Sequence, residues 1–219
     1  MTPPRQRGRR DEILAAFTRH VSERGYDGTN LADLAAELGL SKGTIVHHFG
    51  TKDRMLRESH ESYMGRRIAE AERIIAGADG PADQLAALIY AFVLYQVEDR
   101  AATVAFQREV VRFAGDPAMA GVRALTDRHR ALVAEVLDRG VAAGAFRPGD
   151  GALRQLVIFG AAQWAWTWFD PAGPRSAEEV GAAFVDLVLG GLLVDRSGLA
   201  RLADPGGPLP LLARACLSS

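Results

Sequence analysis

The chain has little cysteine and no long apolar run, and each shortage excludes a class of protein. Cys216 is the single cysteine among 219 residues, so neither an internal disulfide nor a cysteine-based metal cluster is expected, and we interpret it as an incidental residue of a tail. No apolar stretch approaches the roughly 20 residues of a membrane span, because Asp186 and several glycines interrupt the best candidate. The arginines near the N-terminus are not followed by the apolar segment of a signal peptide. We therefore expect a cytoplasmic protein without a membrane partner.

Catalytic and cofactor motifs are also missing. The sequence contains no nucleophile elbow, phosphate-binding loop or dinucleotide fingerprint. His60-Glu61 resembles the opening of a zinc-protease motif, but Met64 stands where the second histidine would be needed. None of the five histidines has metal-ligand spacing: His20, His47, His48, His60 and His129. We expect no enzyme activity, no catalytic residue, no metal and no cofactor.

Charge is unevenly divided along the chain, although 26 basic residues nearly balance 27 acidic ones. Residues 1–52 carry eight basic against six acidic side chains, whereas residues 53–219 carry eighteen against twenty-one. A basic end on an acidic body has the sign expected of a nucleic-acid-binding head. Four arginines precede residue 11 in a segment without apolar periodicity, which predicts a mobile arm that reaches DNA, or else a solvated tail: Arg5, Arg7, Arg9 and Arg10. A helical adaptor whose arginines contact acidic lipid is the alternative.

Two short helices joined by a tight turn are predicted from Thr29 to Phe49. The first has an apolar face at helical spacing, formed by Leu31, Leu34, Ala35 and Leu38. Thr29 or Asn30 is placed to cap its start, and Gly39 falls where a helix needs a left-handed residue to end. Ser41 is placed to cap the second helix, predicted at Lys42–Phe49.

The second helix has the character of a major-groove reader. Ile45 is its expected inward anchor, and its outer surface is polar and partly basic. Gly50 ends it and Thr51 caps the next helix, whose free N–H groups and Lys52 suit a phosphate. A plain α-hairpin in a bundle is the alternative. The residues expected to contact DNA are Arg9, Arg10, Thr29, Ser41, Lys42, Gly43, Thr44, His47, His48 and Lys52.

These features resemble the N-terminal domain of TetR-family repressors. The matching parts are an amphipathic helix at Asp11–Arg24 with Ile13, Leu14, Phe17 and Val21 on its buried face, then GYDGTNLADLAAELGLSKGTIVHHF and GTKDRML. The sequence departs from the family at Val46-His47-His48, where one or two tyrosines are usual, and this departure concerns which bases are read. The resemblance implies a homodimer on double-stranded operator DNA.

The remainder of the chain predicts helices and turns without useful β-alternation. Long helices are expected at about 85–97, 101–113, 117–143, 151–169 and 176–194. The fold class is therefore all-α, with a three-helix DNA-binding head at residues 1–54 and a helical ligand-binding and dimerisation domain at residues 55–219. The resemblance implies dimerisation through the last two long helices, and the apolar composition of Ser176–Val194 agrees.

A small-molecule site is expected in the body. Trp164, Trp166 and Trp168 follow one another at alternate positions, where they suit either a ligand site or a subunit interface. The surrounding run FGAAQWAWTWFDPAGPRSAEEVGAAFVDLVLGGL resembles the C-terminal signature of a TetR subgroup that answers to acyl-CoA thioesters, with Gln163 in place of the usual Asn and Asp170 in place of Arg. The resemblance implies ligand contacts from Tyr95, Phe106, Arg112, Phe113, Gln163, Trp164 and Trp168. Arg108, Arg112 or Arg154 would meet the nucleotide phosphates.

These expectations combine into one function. The chain is predicted to be a ligand-responsive transcriptional repressor that binds a palindromic operator as a dimer and is released by a small apolar inducer, such as an acyl-CoA thioester. The alternative is a TetR-type regulator of efflux or antibiotic metabolism that answers to a hydrophobic or aromatic ligand without CoA.

Overall fold

The computed structural model describes residues 4–111 and 115–217, with side chains described from Gly8 onward. The described residues are helical apart from turns and one isolated antiparallel bridge between Phe146 and Leu193. A short 3₁₀ turn at Pro117–Met119 precedes α7. The α-helices are α1 Pro4–Gly28, α2 Leu31–Glu37, α3 Lys42–Phe49, α4 Lys52–Gly77, α5 Gly80–Glu98, α6 Arg100–Glu109, α7 Ala120–Ala142, α8 Gly151–Gln163, α9 Ala165–Trp168, α10 Ala177–Leu192, α11 Leu199–Leu202 and α12 Pro208–Leu217.

The first compact unit comprises the described parts of Met1–Gly65 and Ala101–Leu125. It is larger than the head expected at residues 1–54, because α6 and the start of α7 share its apolar core. That core is formed by Ile13, Ala16, Phe17, Val21, Leu34, Ala35, Ile45, Phe49, Met55, Leu56, Tyr63, Met64, Ala102, Ala105, Phe106, Met119 and Val122.

The opening helix differs from its predicted bounds at both ends. It begins at Pro4 rather than Asp11, so Arg9 and Arg10 lie within a helix and not in a mobile arm. Near its end, Gly25 has φ 73°, a left-handed conformation that glycine adopts without the cost of a Cβ. The chain turns there, and Tyr26 packs against the core of the first unit.

The second compact unit comprises the described parts of Arg66–Arg100 and Thr126–Ser219. At its centre is α5, which is buried on every side over residues 85–96. Gly181 of α10 lies against the ring of Tyr90, where an added Cβ would come within 2.5 Å of Cδ1. The Tyr90 hydroxyl donates to the carbonyl of Leu202 at 3.2 Å, and burial raises the pKa of this phenol to about 12. The absence of a side chain at residue 181 thus allows α10 to pack closely on α5.

The long helix predicted at Gly151–Phe169 is wrong, because the helix is interrupted at Trp164. The carbonyl of Trp164 accepts hydrogen bonds from both the amide and the hydroxyl of Thr167, at 3.1 and 2.7 Å. A threonine side chain that bonds a nearby carbonyl offers the backbone an alternative to the regular helical ladder. The consequence is a short separate helix, α9, which carries Trp166 and Trp168.

The C-terminal residues form two further helices and are not a tail. Cys216 is buried in the core of the second unit, contrary to its interpretation as an incidental tail residue. Arg214 of α12 pairs with Glu98 and with Glu178, and Arg201 pairs with Asp83 at 2.6 Å. Apolar burial and these ion pairs attach the C-terminal segment to α5 and α10.

Candidate functional site

The turn between α2 and α3 is built by side-chain caps and one glycine. Asn30 is the residue that caps α2, since its Oδ1 accepts the amide of Ala32 at 2.8 Å. Gly39 has φ 64°, which confirms the predicted left-handed end. Ser41 Oγ accepts the amide of Thr44 at 3.1 Å and so caps α3. The structure therefore confirms the predicted two short helices and their turn.

One face of α3 is anchored and the opposite face is open. Ile45 and Phe49 are buried in the core of the first unit. The outward residues include Lys42, Gly43 and His47, which are exposed, and Thr44 and His48, which are half-buried. Val46 is 42% exposed and was not among the residues expected to contact DNA. An apolar side chain on this face has the chemistry that contacts a thymine methyl group.

Both lysines of the protein lie in this region, at Lys42 and Lys52. Lys52 opens α4, and its Nζ lies 4.1 Å from the centre of the Tyr26 ring, whose hydroxyl donates to Asp53. Thr51 Oγ1 accepts the amide of Arg54 at 3.1 Å, which confirms the predicted cap. The confinement of lysine to these two positions is a further sequence signal for this surface.

Two residues expected to contact DNA have internal partners instead. Arg10 donates to the carbonyl of His48 and pairs with Glu58, and its guanidinium carbon lies 4.2 Å from the centre of the Phe49 ring. Thr29 is buried and donates to the carbonyl of Gly25 at 2.8 Å. Arg9 pairs with Glu12 at 3.0 Å and remains about half exposed. These contacts give Arg10 and Thr29 structural roles at the edges of α3 and α2.

Two side chains of α1 contact one carboxylate of α2 and hold the two helices together. His20 Nε2 lies 2.6 Å from Glu37 Oε2, and Arg19 pairs with the same carboxylate. The hydrogen bond from His20, together with Arg19, holds the pKa of Glu37 below its usual range. The helix pair that supports α3 is thereby fixed at its outer end.

The residues expected around a ligand are dispersed. Trp164 and Trp168 are 66% and 59% exposed, whereas Gln163 is half-buried. Tyr95 is buried in the second unit beneath the guanidinium of Arg67, which lies 3.9 Å from its ring centre. Phe106 belongs to the first unit, where it stacks on Tyr63 at 4.9 Å and contacts His60 at 5.1 Å. Arg112 and Phe113 lie outside the described residues.

Two arginines considered for nucleotide phosphates are engaged by main-chain carbonyls. Arg108 donates to the carbonyl of Ser22 at 2.9 Å. Arg154 donates to the carbonyls of Arg147 and Pro148, at 2.8 and 3.0 Å. Both side chains therefore use hydrogen-bond donors within the protein.

Two helices of the second unit present apolar stripes to solvent. On α8 the outward positions are spaced at 3, 4 and 7 residues, as on one helical face, and are Leu153, Leu156, Val157 and Gly160, with Trp164 directly after the end of the helix. On α10 Leu187 and Gly191 are exposed, and Val180, Phe184 and Val188 are half-buried and pack partly against the core of the second unit. Leu187 is 76% exposed. Contiguous apolar exposure of this kind marks an interaction surface.

Two family descriptions match the chain. Residues 13–58 match the family described as bacterial regulatory proteins, tetR family, and residues 78–192 match the tetracyclin repressor-like C-terminal domain. The second match alone spans more than half of the sequence. The chain belongs to the TetR family. It is thus a transcriptional regulator by family, and α2 and α3 are its helix-turn-helix.

Similar proteins agree with this assignment. The TetR chain is 30% identical over 192 residues to the HTH-type transcriptional repressor KstR2 of Mycolicibacterium smegmatis, covering 87% of this chain and 94% of that protein. The structure of the ketosteroid transcriptional regulator KstR2 of Mycobacterium tuberculosis is similar with a TM-score of 0.78 and 28% identity, covering 85% and 96% of the two chains. AibR, crystallised with isovaleryl coenzyme A and operator DNA, shares the fold with a TM-score of 0.75 at 21% identity, covering 82% and 97%.

The part of the chain that the structure describes has neither a metal cluster nor a membrane-spanning helix. No group of three or more His, Cys, Asp or Glu side chains there is placed to hold a metal ion. No helix there combines the length and the apolar character needed to cross a bilayer.

Proposed function

We propose that the protein is a dimeric, ligand-responsive transcriptional repressor that reads a palindromic operator with α3. The observation that carries this proposal is the two-sided character of α3. Ile45 and Phe49 fix the helix in the core, whereas Lys42, Val46 and His47 stand exposed on the opposite side. A rigidly held helix with a free polar surface is what insertion into the major groove requires.

Within this proposal the phosphate and base contacts are divided among different residues. Ser41, Lys42, Gly43 and Lys52 contact the backbone, because a hydroxyl, a bare glycine and two ammonium groups suit phosphate oxygens. Thr44, Val46, His47 and His48 face the base edges. Arg9 reaches a neighbouring phosphate from α1. Arg10 and Thr29 act indirectly by holding the helix ends.

The apolar stripes of α8 and α10 support dimerisation through these two helices. A two-fold axis would bring each stripe against its copy and remove Trp164 and Leu187 from water. Exposed tryptophan is favourable at such a contact because a large area is buried with little loss of conformational entropy. The same axis would place two α3 helices on successive major grooves, about 34–36 Å apart.

The inducer that we propose is a small apolar molecule bound in the second unit, and acyl-CoA thioesters are the first class to test. Support comes from the acyl-CoA-like signature around Gln163 and from AibR, a protein of the same fold that was crystallised with such a ligand. Release of DNA requires that the inducer bind more tightly to the form that does not fit the operator. Because α4 runs from Lys52 in the first unit to Gly77 in the second, we assign it the coupling role.

A hydrophobic ligand without CoA is the second candidate, and the arginine contacts favour it. Arg108 and Arg154 already donate to carbonyls, so part of the hydrogen-bonding capacity of each guanidinium group is used within the protein.

Thermal stability of the full chain against a panel of acyl-CoA thioesters, free CoA and CoA-free hydrophobic compounds distinguishes the two ligand classes. A ligand at 100 times its dissociation constant adds about 2.7 kcal/mol of stability. Stabilisation by an acyl-CoA, together with release of DNA in a gel shift, supports the first class. A flotation assay with anionic vesicles accompanies the gel shift. Protein that floats with the vesicles and binds no DNA would instead support the lipid-contacting adaptor.

A further inference from the structure

A cluster of aromatic and polar side chains lies inside the second unit, apart from the exposed tryptophans. Three helices contribute one ring each: Phe92 from α5, His129 from α7 and Phe159 from α8. The ring centres are 5.0 Å apart for Phe92 and Phe159, 5.9 Å for Phe92 and His129, and 5.4 Å for His129 and Phe159. The imidazole meets both phenyl rings edge-on, at 72° and 63°.

Polar groups border these rings at helical spacing. Gln155 precedes Phe159 by four residues and Gln96 follows Phe92 by four, so each amide lies one turn away on the same helix face. Gln155 is buried, and its Oε1 has no hydrogen-bond partner among the described residues. The same is true of Nε2 of His129, a side chain only 5% exposed. Buried polar atoms are nearly always hydrogen-bonded, so two in one cluster require an explanation.

The charges beside the cluster are compensated. The guanidinium of Arg67 lies 2.8 Å from Glu70 and 3.4 Å from Asp99, and Arg66 pairs with the same Asp99 at 2.8 Å. Two cations therefore face two carboxylates, and a third cation, Arg130, pairs with Asp127 at 3.6 Å. Burial, with Arg67 and Arg130 nearby, lowers the pKa of His129 to about 4, so its imidazole is neutral at pH 7.

We propose that His129 and Gln155 bind the uncharged oxygen of a largely apolar ligand, whose body packs against Phe92 and Phe159. A neutral imidazole can donate from Nε2, and a glutamine Oε1 can accept. Such a pair suits a hydroxyl group, whose oxygen accepts from His129 and whose O–H donates to Gln155. A carboxylate finds no unpaired cation here and would be left desolvated. The aromatic rings suit a flat or ring-shaped hydrocarbon body.

This inference rests on the proposed function for the existence of an inducer, and it specifies the inducer's chemistry. It places the recognition of the polar group at His129 and Gln155, and not at Gln163 or Trp164. It holds for an apolar ligand that carries a hydroxyl group, with or without CoA.

Three matched probes test the proposal by titration calorimetry on the full chain. They are 1-tetralol, which carries a hydroxyl group, tetralin, which has no oxygen, and 1,2,3,4-tetrahydro-1-naphthoate, which carries a charged carboxylate. We expect 1-tetralol to bind about tenfold more tightly than either of the others, the gain typical of one satisfied hydrogen bond. Equal affinity for 1-tetralol and tetralin, or no binding of 1-tetralol, would overturn the proposal.

Substitutions at His129 and Gln155 test whether these two residues supply the preference between the probes. His129→Phe and Gln155→Leu should each remove most of the preference for 1-tetralol over tetralin. Gln84→Leu is the control, because the Gln84 amide already donates to Ile75 and accepts from Arg139, and it should keep the preference. If His129→Phe does not fold, Gln155→Leu and His129→Asn carry the test. A preference that survives in both Gln155→Leu and the His129 variant overturns the assignment.

A gel shift on the same preparations separates this inference from the proposed function. Variants that lose the preference for 1-tetralol should still bind DNA, because α3 is unchanged. Wild-type protein that prefers 1-tetralol but binds no DNA would contradict the repressor proposal and leave the ligand site standing. Wild-type protein that binds DNA but shows no preference between the probes would contradict the ligand site and leave the repressor proposal standing.

Discussion

The guanidinium carbon of Arg10 lies 4.2 Å from the centre of the Phe49 ring, at the end of the recognition helix. The same side chain donates to the His48 carbonyl and pairs with Glu58. A cation beside the last carbonyls of a helix is stabilised by the helix dipole. Arg10 therefore ties the C-terminal end of α3 to α1 and α4.

Arg10→Ala should lower the free energy of unfolding by about 1–2 kcal/mol, through the lost cation–π contact and hydrogen bonds. DNA affinity should fall with it, because α3 is held less firmly. Arg9→Ala is the control, since Arg9 contacts only the exposed Glu12 among the described side chains, and its melting temperature should be unchanged. An Arg10→Ala protein with full stability but weak DNA binding would show that Arg10 contacts DNA itself.

Lys42→Ala and Lys52→Ala should weaken binding to every operator sequence to a similar extent. Each loss should also reduce the log–log dependence of affinity on salt by about one, because one phosphate contact is removed. Fluorescence anisotropy over a series of salt concentrations measures both effects. His47→Ala is the comparison, since a base contact should change sequence preference by about 1–3 kcal/mol. An unchanged salt slope for Lys52→Ala would show that the start of α4 does not contact the DNA phosphates.

Leu187→Asp should convert the dimer into monomers. A charge at the centre of an apolar interface is left desolvated and unpaired, and Leu187 is 76% exposed on the stripe of α10. Leu211→Asp is the matched control, because Leu211 is 65% exposed on α12, outside both stripes. Analytical ultracentrifugation gives the outcome directly. Dimers that persist in Leu187→Asp, or that are lost in Leu211→Asp, would place the interface elsewhere.

Trp164→Ala distinguishes the two roles left open for that residue. Because the side chain is 66% exposed directly after the end of α8, we expect the dimer to weaken, and operator affinity with it. The measurement is operator binding at several protein concentrations, where a weakened dimer shows a steeper concentration dependence. Intact dimer and operator binding with loss of induction would return Trp164 to the ligand site.

Acid should destabilise the protein through two buried histidines. Burial lowers the pKa of His60 and of His129 from 6.5 to about 4. Above pH 6.5 both are neutral in the folded and the unfolded chain, and their contribution is constant. As the pH falls from 6.5 towards 4 the unfolded chain binds more protons, so stability decreases by up to about 3 kcal/mol per histidine. Urea unfolding at several pH values should show this loss, and it should be roughly halved in His129→Gln. An equal loss in that variant would argue against a neutral buried His129.

The sequence predicted the helix-turn-helix closely because its determinants are local. Ser41, Gly39 and Gly50 act on neighbouring backbone groups, so the bounds of α3 follow from adjacent residues. The break at Trp164 was missed because it depends on whether the Thr167 hydroxyl bonds a carbonyl. The buried C-terminal helices were missed because their stability depends on contacts with residues more than 100 positions away, such as Arg214 with Glu98.

The ligand residues were harder to predict for the same reason. Trp164 and Trp168 are conspicuous in the sequence, yet they are exposed. His129 was considered only as a metal ligand and has no suitable spacing for one. Its importance depends on Phe92 and Phe159, which three-dimensional packing brings to it from two other helices.

Selection of bound fragments from a random DNA pool by the purified full chain tests the central proposal most directly. We expect enrichment of a two-fold symmetric sequence, with half-sites centred about one helical turn apart, and a changed half-site for His47→Ala. Enrichment of an asymmetric sequence, of one isolated half-site, or of no sequence would contradict the reading of DNA by a pair of α3 helices.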